Sequence, residues 1–216
     1  MGRGGLQQPP DMSLRRAAFW RFTFVYGLLI APWPGFNDIY ARYFRGMGQC
    51  VFAKGNDRCI LNFEAVPQDL HHLLDTRIVL INRDQLDRNG QGPVRYLELS
   101  TRSLGWIPTS LVVALVVATP LPWRRRKWSL LFGLLAIHGF ILFSVAIYIW
   151  NSSLSFSLIE LGPRARQVMA GLEETLVVQM GVSFIVPVLI WMFVTIGCGK
   201  FHDAALSKKS KKGFTA

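Results

Sequence analysis

The sequence predicts a mainly α membrane protein: four transmembrane helices, with a small strand-containing extracytoplasmic loop domain between spans one and two. Three observations carry this. Four apolar runs recur in a chain that is 51% hydrophobic and only 17% charged, where soluble domains hold about 25% charged residues. Tryptophans stand near the ends of several runs, as an interfacial aromatic belt requires. The net charge of +11 is confined to alternate segments between the runs.

Residues 1–16 form a basic N-terminal segment carrying Arg3, Arg15 and Arg16. Span one, 17–35, reads AAFWRFTFVYGLLIAPWPG. Arg21 lies close enough to its start to snorkel to the nearer interface, and Pro32 and Pro34 end it, because proline cannot continue the hydrogen-bond ladder. Span two, 104–123, reads LGWIPTSLVVALVVATPLPW and leads into a basic turn at 124–127. Span three, 128–150, and span four, 176–199, carry no formal charge. At 1.5 Å per residue each exceeds the ~30 Å hydrocarbon core. Pro187 inside span four reads as a kink that neighbouring helices can satisfy.

Residues 36–103 are too many for a simple connector. Phe36, Ile39, Tyr40, Tyr43, Phe44 and Met47 recur at helical spacing, which predicts an amphipathic helix over 36–47 lying in the membrane interface. Two β-hairpins are expected after it. The first pairs 49–53 with 58–66 around Lys54-Gly55-Asn56-Asp57; the second pairs 77–82 with 94–101 around Asn89-Gly90. Cys50 and Cys59 flank the first turn, close enough to bridge in some registers; a disulfide and two packed free thiols both remain open.

The charge then sets direction. Arg3, Arg15, Arg16 and Arg21 of the N-terminal stretch, Arg124, Arg125, Arg126 and Lys127 of the link, and Lys200, Lys208, Lys209, Lys211 and Lys212 of the 200–216 tail, less Asp11 and Asp203, account for the whole excess; 36–106 and 151–175 taken together are balanced. The positive-inside rule places both termini and the link in the cytoplasm of a bacterial inner membrane. The same cations are expected to orient the chain and meet anionic lipid headgroups. That use of the basic residues argues against nucleic acid as the partner, despite a pI near 10.1.

Few residues offer chemistry. His138 is the ionisable side chain deep within span three, with Gln179, Ser183 and Ser144 as expected hydrogen-bond partners. Glu173 and Glu174, at the end of the 151–175 loop and helix start, and Arg102 before span two are candidate contacts for an outer-face partner. His71-His72, near Asp69 and Asp75, is not read as a metal site, since adjacent side chains point apart. With no nucleotide loop, nucleophile elbow or metal-ligand spacing, no cofactor and no catalytic residue are expected. The reading is a non-enzymatic accessory protein whose outer loop engages a membrane-protein partner, in protein sorting or envelope-polymer export. The alternative is a small intramembrane enzyme or transporter component using His138 with Gln179 or Glu173.

The order of parts resembles the small accessory membrane proteins encoded with bacterial exosortases, transpeptidase-like enzymes that process C-terminally anchored surface proteins. The likeness lies in a span ending near Pro32–Pro34, a strand-rich outer loop, and Ser103–Pro122 running into Trp123–Trp128. A final helix from Gln179-Met180-Gly181 through Val186-Pro187-Val188-Leu189-Ile190-Trp191 completes it. The resemblance implies a partner of a sorting enzyme. An exosortase itself would bring an outer-face Cys with Arg and His, whereas Cys198 falls at the opposite end of span four, so that activity is not implied.

Overall fold

Proline, not charge, sets the helix boundaries at the bundle ends. The chain is described by a computed structural model over residues 12–53, 59–67, 74–87, 92–155, 162–175 and 181–212. Helix α1 (Met12–Ile30) stops ahead of Pro32, and Gly35 turns the chain at φ 77° into α2 (Phe36–Phe52). That left-handed backbone is one that glycine adopts without penalty. Strands β1 (Cys59–Ala65), β2 (Thr76–Asn82) and β3 (Val94–Leu99) follow. A wide helical turn, Arg102–Trp106, opens into α3 (Ile107–Ala118), which Pro120 and Pro122 close. The chain ends with α4 (Trp123–Ser155), α5 (Pro163–Glu173) and α6 (Val182–Lys212), which keeps Pro187 inside it.

The helical part is an up-and-down bundle built around α3, which packs antiparallel on α1 and α4 and parallel to α6 and buries Leu111, Val112, Ala114 and Val116 among them. Gly133 of α4 lets α3 come close: a Cβ there would stand 3.0 Å from Val112 Cγ1. At one end the start of α3 meets the end of α1; at the other, Trp191 of α6 donates to the Thr119 hydroxyl at 2.8 Å and Ser129 of α4 to the Val194 carbonyl at 3.3 Å. The start of α4, with Arg124–Lys127, thus shares an end with Val194 of α6, opposite the sheet.

The sheet is an antiparallel meander in the order β1-β2-β3. Leu61, Phe63, Ile78, Leu80, Leu97 and Leu99 point inward onto α2 and the upper half of α4, where Ile141, Val145 and Ile149 continue one core from the bundle into the sheet layer. Half of α4 is therefore bundle and half is a mast for the sheet.

Several expectations are corrected. Residues 49–52 are helical and Ala53 caps them, because the apolar period of α2 continues to Phe52, so β1 pairs with β2 and there is one meander in place of two hairpins. The amphipathic stripe of α2 splits: Tyr40 and Phe44 are buried against the protein's own core, while Ile39 and Tyr43 stay exposed. Arg124–Lys127 form the first turn of α4 and not a connecting turn, since nothing after Pro122 interrupts a helix and Arg and Lys sustain one. Among the described residues one helix, Trp123–Leu154, is long and apolar enough to cross a membrane; Arg102–Ala118 and Val182–Gly197 are shorter apolar helices. Four rods of crossing length are therefore not found, and α1 carries Arg15, Arg16 and Arg21 in its first half.

Candidate functional site

The sheet layer is fastened to the bundle by side chains that complete helix ends. The last carbonyls of α1 have no partner within their own helix. Three donors take them: Trp33 Nε1 reaches Leu28 O at 2.8 Å, Trp106 Nε1 reaches Leu29 O at 2.9 Å, and an Arg102 Nη reaches Ile30 O at 3.1 Å. A guanidinium at a helix C-terminus also opposes its partial negative charge. Arg102, expected to contact a partner, is thus occupied within the chain.

At the other helix start, the Asp75 carboxylate accepts from the Thr101 backbone N–H at 3.0 Å and from the Thr101 hydroxyl at 2.7 Å, while Arg45 donates to the Asp75 carbonyl at 3.1 Å. Tyr40 fills the corner beneath. Its ring stands 5.3 Å from that of Trp106, and a Cβ on Gly105 would come within 2.5 Å of its hydroxyl. Burial raises the Tyr40 pKa to about 12, against a smaller opposing effect of Thr109.

Between this joint and α6 lies a hollow of ≈ 290 Å³ whose walls include Leu99, Leu104, Tyr148 and Phe184. Glu98 and Ser183 add polar groups at its wall. Glu98 is held by Arg77 at 2.6 Å, the one salt bridge among the described residues, and Arg77 also lies 4.8 Å above the Tyr96 ring. The face of the sheet turned away from the core carries Ile60, Ile81 and Val94 in one cross-strand row and Asn62, Val79 and Tyr96 in the next. Ile60, Val94 and Tyr96 are 36%, 41% and 56% exposed. On the far edge of β1, Gln49 accepts from the Phe63 N–H at 3.0 Å, which blunts that edge against strand addition.

The other expected residues are placed as follows. Cys50, exposed on α2, and Cys59, buried on β1, are both free, because the first hairpin does not exist to oppose them. Burial pushes the Cys59 thiol pKa upward. His138 Nδ1 donates to the Leu134 carbonyl of its own helix at 2.8 Å and its ring meets Tyr43 edge-on at 5.9 Å, so it is satisfied without an interhelical partner. Ser144 likewise bonds its own helix at Phe140. Glu173 is hydrogen-bonded to Asn151, about 20 Å along α4 from His138 at the helical rise. The His138–Glu173 pair is therefore not assembled, while Gln179 lies outside the described residues, as do His71, His72 and Asp69. Glu174 is exposed. Arg126 donates to the Thr119 carbonyl at 3.4 Å, and Arg126 and Lys127 lie over the Trp123 ring. Lys208, Lys209, Lys211 and Lys212 fall on the α6 backbone; their side chains lie outside the described residues. Among the described residues no group of three His, Cys, Asp or Glu side chains could hold a metal ion.

Asp75 and the Arg77–Glu98 pair were not singled out in the sequence. Asp75 stands close to His71-His72 in the sequence, and no local motif links it to Thr101, 26 positions away. No protein-family model, no curated protein and no solved structure matches this chain.

Proposed function

We propose that this is a non-enzymatic accessory protein of a bacterial inner membrane, with four membrane-crossing helices, both termini in the cytoplasm and the sheet layer outside. The packing of α1, α3, α4 and α6 supports the four crossings. Phe24, Leu135 and Phe193, on three different helices, are 71%, 69% and 78% exposed. Apolar surface on that scale belongs in lipid. Arg102–Ala118 and Val182–Gly197 are each about 25 Å long at the helical rise. That is at the short end of what a bilayer core accepts, and a short helix is accommodated by local thinning or snorkelling flanks.

The outer sheet engages a partner protein. The observation that carries this is the apolar outward face, Ile60, Val94 and Tyr96, on a platform made rigid by its joints to two helix ends. A membrane-anchored sorting enzyme of the exosortase kind, or an envelope-polymer export complex, is the setting that the order of parts favours. Co-purification in mild detergent tests it. The wild-type chain is expected to bring down a stoichiometric membrane protein, and Tyr96→Glu with Val94→Lys to lose it while the chain accumulates normally. Equal recovery of that protein with both forms, or none with either, would remove the reading.

A further inference from the structure

We propose that the first turns of α4 bind one anionic phospholipid of the leaflet at the basic end. Its phosphate sits between Arg124 and Lys127, and an acyl chain lies along Trp128, Leu131 and Leu135. The inference rests on the membrane reading above and deepens it.

Helical register brings the parts together. Positions 124, 127, 128, 131 and 135 share one face of α4, cations first and apolar side chains after. Arg124, Lys127, Trp128 and Leu131 line a concavity of ≈ 370 Å³. Trp128, Leu131 and Leu135 remain 57%, 55% and 69% exposed, so the apolar half is left open among the described residues.

The charge of the turn calls for an anion. Four consecutive cations occupy the start of α4, whose first turn holds no acid. A helix N-terminus carries partial positive charge, so this placement is locally unfavourable. A phosphate there would satisfy the cations and the helix end together. Arg124 and Lys127 form no salt bridge among the described residues. Lys127 lies over the Trp123 ring, and Arg126 is turned inward to the Thr119 carbonyl. A free phosphate would fill only the cationic end; a phospholipid fills both ends, and basic pockets at this membrane depth are where such headgroups bind.

The test uses the full-length chain, extracted in mild detergent from membranes containing both zwitterionic and anionic phospholipids, with retained lipid measured by mass spectrometry. About one anionic phospholipid per chain is expected, undisplaced by inorganic phosphate. Arg124→Gln with Lys127→Gln is expected to lower its retention roughly tenfold, whereas Arg164→Gln with Arg166→Gln, exposed on α5, leaves it unchanged. Undiminished retention in the first variant, no preference for anionic over zwitterionic lipid, or displacement by phosphate overturns the proposal. Alkaline carbonate washing of the same membranes reads the underlying account separately. A chain that stays in the pellet but selects no lipid overturns only the phospholipid site; a chain that washes out overturns both.

Discussion

Thr101 gives both its backbone N–H and its hydroxyl to the Asp75 carboxylate, at 3.0 and 2.7 Å, and this fastens the strap entering β2 to the start of the α3 helix. The carboxylate does the work of an N-terminal cap supplied from another part of the chain. Asp75→Ala removes the acceptor and leaves a buried Thr101 donor without one. A loss of about 1–3 kcal/mol is expected, read as a lower melting temperature in detergent. Thr101→Val, which keeps the backbone bond, should cost less; an equal cost would show that the hydroxyl dominates.

Gly105 is the second part of this joint. An alanine there would place its Cβ 2.5 Å from the Tyr40 hydroxyl and 3.0 Å from Cε1. Gly105→Ala should destabilise by about 1–3 kcal/mol, the usual range for overpacking a core. Removing the hydroxyl with Tyr40→Phe should return part of that loss. A double-mutant cycle with no coupling would contradict the contact.

The Tyr40 hydroxyl also sets an alkaline limit. Its pKa rises from 10.0 to about 12 on folding. The folded state therefore holds the proton more tightly than the unfolded one. The stabilisation is complete below pH 10 and is lost as pH rises through 12. The shift corresponds to roughly 2–3 kcal/mol. Stability of the wild type should fall between these pH values more steeply than that of Tyr40→Phe; parallel curves would count against the buried hydroxyl.

Thiol chemistry separates the two described cysteines. Cys50 is exposed and Cys59 is 3% exposed. A maleimide should modify Cys50 in the folded chain and Cys59 only after unfolding. Gel mobility should be the same with and without reductant. A reductant-dependent shift lost in the Cys50→Ser variant would restore the disulfide.

What the sequence made legible follows from the range of each signal. The 3.6-residue period of α2, the second strand pair and the proline stops at 32, 34, 120 and 122 are local, and all appear in the fold. The pairing of β1 was not legible, because the polar turn after Lys54 reads equally as a hairpin or as a helix exit. The joint depends on contacts such as Arg102 with Ile30, 72 positions apart, which leave no mark at either position. His138 reads in the sequence as a polar contact to a neighbouring helix, because an imidazole in an apolar run demands a partner; the carbonyl of Leu134, one turn back in its own helix, meets that demand. The doubled role of α4, half bundle and half mast, was hidden because lipid and a sheet both take apolar side chains.

Labelling of single cysteines from outside intact cells tests the central claim most directly. In a background of Cys50→Ser with Cys198→Ser, Tyr96→Cys on the sheet and Arg125→Cys at the basic end of α4 would each meet a membrane-impermeant maleimide. Tyr96→Cys is expected to be labelled at once and Arg125→Cys only after the membrane is opened. Labelling of Arg125→Cys in sealed cells, with Tyr96→Cys protected, would contradict it.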